Sequence, residues 1–377
     1  MSLTRRDFAR TAAAAAAIAA LPTAAPGPAL AQTPAATPAT IDPMTLVDPA
    51  LRPPLEAMLG QMGPPADLTV DQIPALRQAF QSQGEPPRLP QPAVEERMIP
   101  GPAGAPDVRV FVVNPSPGSD KPAILHIHGG GFVFGTAAEF VPALQAEALA
   151  LDCVIVTVDY RLAPETPFPG SLEDNYAGLV WLHEHAAELG ADPDRVALQG
   201  ESAGGGHAAM LAIAARDRGG PPVIFQSLVY PMLDDRAGST RTLPDYIGAF
   251  VWTPAFNRLG WTALLGVPAG SDNVPDGAVP ARVADLAGMP PTWIGVGSID
   301  LFAEEDIAYA GRLILAGVPT ELLVVPGAYH GFDAFVPAAS VSRDFRLSQL
   351  NALARVFGEP AIGSLAPAAT PEATPAS

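Results

Sequence analysis

One cysteine and one lysine are all that the 377 residues hold of either type. With Cys153 alone, no intramolecular disulfide can form. Its setting, the apolar run Cys153-Val-Ile-Val-Thr-Val158, reads as that of a buried small hydrophobe. A nucleophilic thiol is disfavoured there, because an apolar strand keeps a thiol protonated and inert. Lys121 is the only lysine, and 39 acidic against 21 basic residues give a formal net charge of −18. A surface of that sign argues against nucleic acid and anionic membranes as partners and is otherwise silent about function. What the chain does have is apolar bulk: 48% hydrophobic residues are ample for one large α/β core.

The amino terminus stands apart from the fold. Thr4-Arg5-Arg6-Asp7-Phe8-Ala9-Arg10 fits the twin-arginine export pattern. An alanine-dominated segment follows, too short and too weakly apolar for a stable membrane span, and Ala29-Leu30-Ala31 supplies a small-x-small cleavage site. Residues 1–31 are therefore expected to be a signal peptide, with a periplasmic or secreted mature protein. Residues 32–43 read as a Pro/Ala/Thr-rich linker, and the stretch 359–377 as a disordered tail.

Two apolar stripes at helical spacing, Leu51/Leu55/Met58/Leu59 and Ile73/Leu76/Ala79/Phe80, predict helices within residues 44–93. Beyond a Pro-rich connector, strand patterns fall at 94–99, 108–113, 124–127, 153–158, 196–199, 223–230, 292–296 and 320–325. Helical patterns fall at 142–151, 172–189, 207–216, 304–316 and 342–357. Such alternation means a mostly parallel central sheet with helices on both faces, so 94–358 reads as one α/β domain. Residues 232–283 break the rhythm with Pro, Gly and scattered aromatics. With 44–93 they are the material for a helical cap.

The chemistry centres on Gly200-Glu201-Ser202-Ala203-Gly204, a Gly-x-Ser-x-Gly turn between a strand and an alanine-rich helix. A serine at the apex of so sharp a turn projects beyond the carboxyl end of the sheet, over the positive end of the next helix. Gly200 and Gly204 are required where a Cβ would collide. A serine hydroxyl needs a base. Of six histidines, His330 lies beyond a strand's carboxyl end and follows an acidic candidate in the order Ser, acid, His. The other five are expected to be structural. Asp300, at the end of the 292–296 strand pattern, is the carboxylate to orient His330. Glu304, Glu305 and Asp306 are expected to supply first-turn charge to a helix dipole. His128-Gly129-Gly130-Gly131 follows another strand, and the amides of Gly130, Gly131 and Ala203 are the expected oxyanion donors. That loop has neither the spacing nor the Lys-Ser/Thr of a phosphate-binding loop.

His128-Gly-Gly-Gly131, Asp159-Tyr-Arg-Leu-Ala-Pro-Glu165, Gly200-Glu-Ser-Ala-Gly-Gly205, residues 280–291, Asp300 and His330-Gly-Phe332 together resemble the hormone-sensitive-lipase-like (bacterial family IV) carboxylesterases. The resemblance spans about residues 94–357. It implies an α/β-hydrolase fold with a helical cap and no cofactor or metal. The implied activity is on small-molecule esters of short- to medium-chain acids. Two departures touch supporting positions: Glu201 stands where many members have Asp, and Asp300 is followed by Leu301-Phe302-Ala303 rather than Pro-Leu-Arg. His128, Gly129, Asp159, Arg161, Glu165 and Glu201 are expected to support the site. Asp159, Arg161 and Glu165 should do so as one network beneath the elbow and the glycine loop. An exported polysaccharide deacetylase, a polyester hydrolase and a non-catalytic small-molecule binder remain alternatives, and a homodimer stays open.

Overall fold

The computed structural model describes residues 41–60, 69–81 and 84–363. The expected signal peptide, residues 32–40 of the linker, residues 364–377 of the tail and the side chains of Ala79 and Phe80 lie outside the described residues. An eight-stranded sheet runs in the order β1-β2-β4-β3-β5-β6-β7-β8. Its strands are β1 (Val94–Ile99), β2 (Val108–Val113), β3 (Lys121–Ile127), β4 (Val154–Asp159), β5 (Ala191–Glu201), β6 (Phe225–Val229), β7 (Thr292–Gly297) and β8 (Thr320–Val325). The β1–β2 and β2–β4 pairs are antiparallel and all the others parallel. β4, β6 and β7 are buried nearly end to end, as continuous Val/Ile/Leu-rich runs must be when helices cover both faces. β5 begins before its apolar run, and its polar opening is tied off by Arg195 Nε donating to Asp192 at 2.7 Å.

β3 has β4 on one side and β5 on the other. The connections leaving the carboxyl ends of β3 and β5 therefore diverge, and a crevice opens between them. Ile127 at the end of β3 pairs with Gly200 near the end of β5, so the glycine loop and the serine turn start side by side. At the other end of β3, Lys121 pairs with Asp152 at 2.7 Å.

The helices are α1 (Arg52–Leu59), α2 (Ile73–Gln81), α3 (Ala137–Leu151), α4 (Gly170–Glu184), α5 (Ala203–Arg218), α6 (Pro254–Leu265), α7 (Ala303–Leu315) and α8 (Ser340–Phe357). Their limits differ from the sequence reading at several points. A helical turn already begins at Pro43, capped by the Asp42 side chain, so the linker ends sooner. α3 begins at Ala137, not at Pro142, because Asp159 Oδ1 accepts the Ala137 N–H at 2.9 Å and caps the first turn. α4 stops at Glu184, since His185 leaves the helical conformation before a separate turn, Ala186–Leu189.

Leu51, Leu55 and Ile73 bury the N-terminal segment against the main core. Within 232–283 the described secondary structure is α6 and a short turn, Pro280–Arg282; the rest is irregular. Backbone without regular partners needs side chains to satisfy it, and two buried aspartates provide them. Asp235 accepts from Arg282 at 2.8 and 2.7 Å and from the Gly270 amide at 2.8 Å. Asp234 holds Arg236 and Arg241.

Candidate active site

Ser202 sits between β5 and α5 with φ 57° and ψ −120°. Holding a non-glycine residue there costs about 1–3 kcal/mol, so the neighbouring chain must fix it. The Ser202 N–H donates to Val229 O at 2.9 Å, and its carbonyl accepts from Gly206 and Met232 at 3.0 and 2.9 Å. The glycines are steric requirements. A Cβ on Gly200 would lie 2.3 Å from the Gly204 carbonyl group, and one on Gly204 would lie 2.0 Å from Ile127 O. This clearance lets α5 start immediately after the serine, four residues earlier than its apolar pattern suggested.

Three residues far apart in sequence meet at this point. His330 Nε2 lies 2.9 Å from Ser202 Oγ, and His330 Nδ1 lies 2.8 Å from Asp300 Oδ2. Asp300 is fully buried, and its other oxygen accepts the Phe302 N–H at 3.0 Å. With Asp300 ionised, the imidazole carries its proton on Nδ1 and turns an acceptor toward the serine hydroxyl. Aromatic rings fix the imidazole plane: Tyr230 at 4.7 Å, Phe302 at 5.1 Å and Trp252 at 6.2 Å between centroids. Tyr230 is held in turn by its hydroxyl donating to Asp333 at 3.0 Å.

The glycine loop packs directly on the serine turn. A Cβ on Gly129 would lie 2.9 Å from Glu201 O. Gly130 and Gly131 have φ of 119° and 61°, where other residues are strained. Among the described residues the amides of Gly130, Gly131 and Ala203 donate to no protein acceptor. Orphaned donors next to a serine hydroxyl can receive a developing negative charge. The insertion covers them: a Cβ on Gly131 would come within 2.0 Å of the Trp252 ring, and one on Gly260 of α6 within 2.4 Å of Gly131 O.

His128 is fully buried, stacked on Tyr160 at 4.2 Å, with Nδ1 2.8 Å from Gly129 O. Burial lowers its pKa to about 4, so it braces the loop as a neutral ring. Glu201 faces away from Ser202 and meets His126 Nε2 at 2.8 Å, whose Nδ1 lies 2.8 Å from Thr157 Oγ1. Burial alone would raise the Glu201 carboxyl, but the His126 charge and hydrogen bond outweigh it and hold the group below its ordinary value. The expected single network of Asp159, Arg161 and Glu165 does not form. Asp159 pairs with Arg109 at 2.8 Å, Arg161 with Asp174 at 2.7 Å, and Glu165 with Arg77 at 3.1 Å. The end of β4 and the loop that follows it are thus tied to three different elements.

The first-turn acids of α7 also differ from expectation. Glu304 is exposed, but Glu305 is buried and accepts the Leu233 and Asp234 amides at 2.7 and 3.0 Å. Asp306 is buried with neither oxygen partnered among the described residues, and burial raises its pKa well above the ordinary value. Cys153 is fully buried, and burial likewise pushes its thiol up. His207 is enclosed by Phe132 and Tyr160 rings at 4.9 and 4.8 Å and makes no hydrogen bond to Ser202. Among the described residues no group of three His, Cys, Asp or Glu side chains could hold a metal ion. A cavity of about 320 Å³ lies behind the serine turn, bounded by Glu147, Glu201, Tyr230, Asp333 and Arg346; Ser202 and His330 do not line it. The roles of Tyr230, Phe302 and Arg77 escaped the sequence reading, since each depends on a contact across the fold.

Residues 124–334 match the alpha/beta hydrolase fold family. The chain is 35% identical to esterase LipI of Mycobacterium tuberculosis over 311 residues, 80% of this chain and 93% of the relative. It is 36% identical to carboxylesterase NlhH of the same organism over 312 residues, 78% and 94% of the two chains. Among solved structures, esterase LipW from Mycobacterium marinum matches with a TM-score of 0.71 at 34% identity, covering 83% of this chain and 97% of that one. A bacterial heroin esterase matches with a TM-score of 0.72 at 35% identity, covering 83% and 99%. The chain belongs to the α/β-hydrolase fold family, in its hormone-sensitive-lipase-like carboxylesterase branch.

Proposed function

We propose that this chain, a carboxylic ester hydrolase, cleaves small-molecule esters of short- to medium-chain acids through an acyl-enzyme on Ser202. The observation that carries the reading is the continuous contact from Asp300 through His330 to Ser202, at 2.8 and 2.9 Å. The esterase names of the relatives support the bond cleaved.

His330 Nε2 takes the hydroxyl proton as Ser202 Oγ attacks the ester carbonyl carbon. The carbonyl oxygen becomes an oxyanion facing the Gly130, Gly131 and Ala203 amides. As that tetrahedral centre collapses, the bond to the alcohol oxygen breaks and the alcohol leaves with the proton from His330. Water then gives a proton to His330 and attacks the acyl carbon, and Ser202 Oγ departs with that proton, freeing the acid. The 16-residue α5, starting at Ala203, adds its positive end to the field on the oxyanion.

The test is Ser202→Ala assayed with p-nitrophenyl butyrate, beside labelling of the parent protein by a fluorophosphonate. Loss of hydrolysis by at least about 10³-fold with the fold retained supports the reading; unchanged hydrolysis refutes it. Failure of the parent protein to label would favour a non-catalytic binder. The twin-arginine pattern of residues 4–10 supports export as a further part of the proposal. Cell fractionation tests it, and acetylated polysaccharides and polyesters belong in the substrate panel for that reason.

A further inference from the structure

Arg77 lies on α2, in the N-terminal segment, yet among the described residues every hydrogen bond its side chain makes goes to the neighbourhood of the glycine loop. Nε donates to Val133 O at 3.0 Å and Nη2 to Ala163 O at 2.9 Å. Nη1 and Nη2 also grip the two Glu165 oxygens at 3.1 Å each. The Arg77 side chain is 18% exposed and that of Glu165, its carboxylate partner, 53%.

The two carbonyls it bridges belong to one unit. Gly130 O accepts the amides of Val133 and Phe134 at 3.1 and 2.8 Å, closing the turn that carries the Gly130 and Gly131 amides. The Ala163 amide donates to Phe132 O at 3.0 Å, fastening that turn to the segment 159–165. A glycine-rich turn with three successive positive-φ residues, Gly130, Gly131 and Phe132, is not held by its own conformational preference, so its amides point where external contacts hold them. Trp252 and Gly260 press on it from the insertion. Arg77 holds it from the N-terminal segment, and the planar fork fits two carbonyls and a carboxylate at once, which an ammonium cannot.

We infer that Arg77 is a positioning residue for the oxyanion-binding turn, with Glu165 fixing the plane of its guanidinium, so that the N-terminal segment helps to complete the active site. The inference rests on the proposed roles of Ser202 and the glycine amides.

The experiment compares Arg77→Ala, Arg77→Lys and Ser202→Ala in the full chain, with two readouts. One is kcat and KM for p-nitrophenyl butyrate. The other is inhibition by an alkyl trifluoromethyl ketone, whose serine adduct carries an oxyanion. Arg77→Ala should lower kcat about 10-fold with KM changed by less than about threefold, since a misplaced donor weakens transition-state rather than ground-state binding. The ketone should bind about 10-fold more weakly, and Arg77→Lys should fall between the two. A lowered Tm with kcat and ketone inhibition both within about twofold of the parent would make Arg77 a strut only and overturn the inference. Should Arg77→Ala not fold, Arg77→Lys decides: a loss of about threefold in both readouts upholds the inference, and parental values overturn it. Retained hydrolysis in Ser202→Ala would instead sink the underlying mechanism.

Discussion

The imidazole of His207 is a testable liability in acid. It is fully buried between two aromatic rings, and neither ring nitrogen has a partner among the described residues. Burial, aided by the nearby His128, lowers its pKa to about 3, against about 6.5 in an unfolded chain. Below about pH 6.5 the unfolded state therefore binds a proton that the folded state refuses, and stability falls as pH drops. Between about pH 8 and pH 5, linkage through this one group removes about 2 kcal/mol. His207→Phe deletes the titration while keeping an aromatic ring of similar shape. Any overpacking from the larger ring, about 1–3 kcal/mol, does not depend on pH and cancels when each protein is compared with itself. Urea denaturation followed by tryptophan fluorescence at the two pH values measures the difference. The variant should lose about 2 kcal/mol less than the parent on acidification. Parallel losses, within about 0.5 kcal/mol, would refute the claim that a neutral His207 is enforced by burial.

Two substitutions examine the site itself. Asp300→Asn preserves shape but cannot hold the His330 tautomer in the same way, and kcat should fall by about 10²–10⁴ with the fold intact; near-parental turnover would remove Asp300 from the proposed triad. Gly131→Ala places a Cβ 2.0 Å from the Trp252 ring at a φ of 61°, so the amide must move and kcat/KM should drop by about 10² or more. Parental kcat/KM would mean that this amide is not a donor to the oxyanion.

Much of the fold was readable because its signals are local. The limits of β1, β2 and β8 coincide with the strand patterns read at 94–99, 108–113 and 320–325, and the positions of Ser202, Asp300 and His330 follow from lying beyond strand ends. What the sequence hid is long-range or hinges on burial. Nothing near Glu201 announces that it will meet His126, 75 residues earlier. Arg77 on an amphipathic helix reads as a solvated charge until its contacts 56 to 88 residues away are seen. Glu305 has the composition of an exposed first turn, but the insertion folds back over it and supplies the Leu233 and Asp234 amides. α3 starts early because of a cap contributed by Asp159, 22 residues downstream.

The position of Lys121 at the opening residue of β3 has a practical consequence. β3 spans seven residues, from Lys121 to Ile127, and at about 3.3 Å per residue the ammonium stands roughly 20 Å from the rim where the serine turn begins. Apart from the chain's amino terminus, amine-directed coupling to a solid support has this one side chain to use, so each molecule tethered through it would hang from the opposite end of its sheet with the rim that carries Ser202 turned outward.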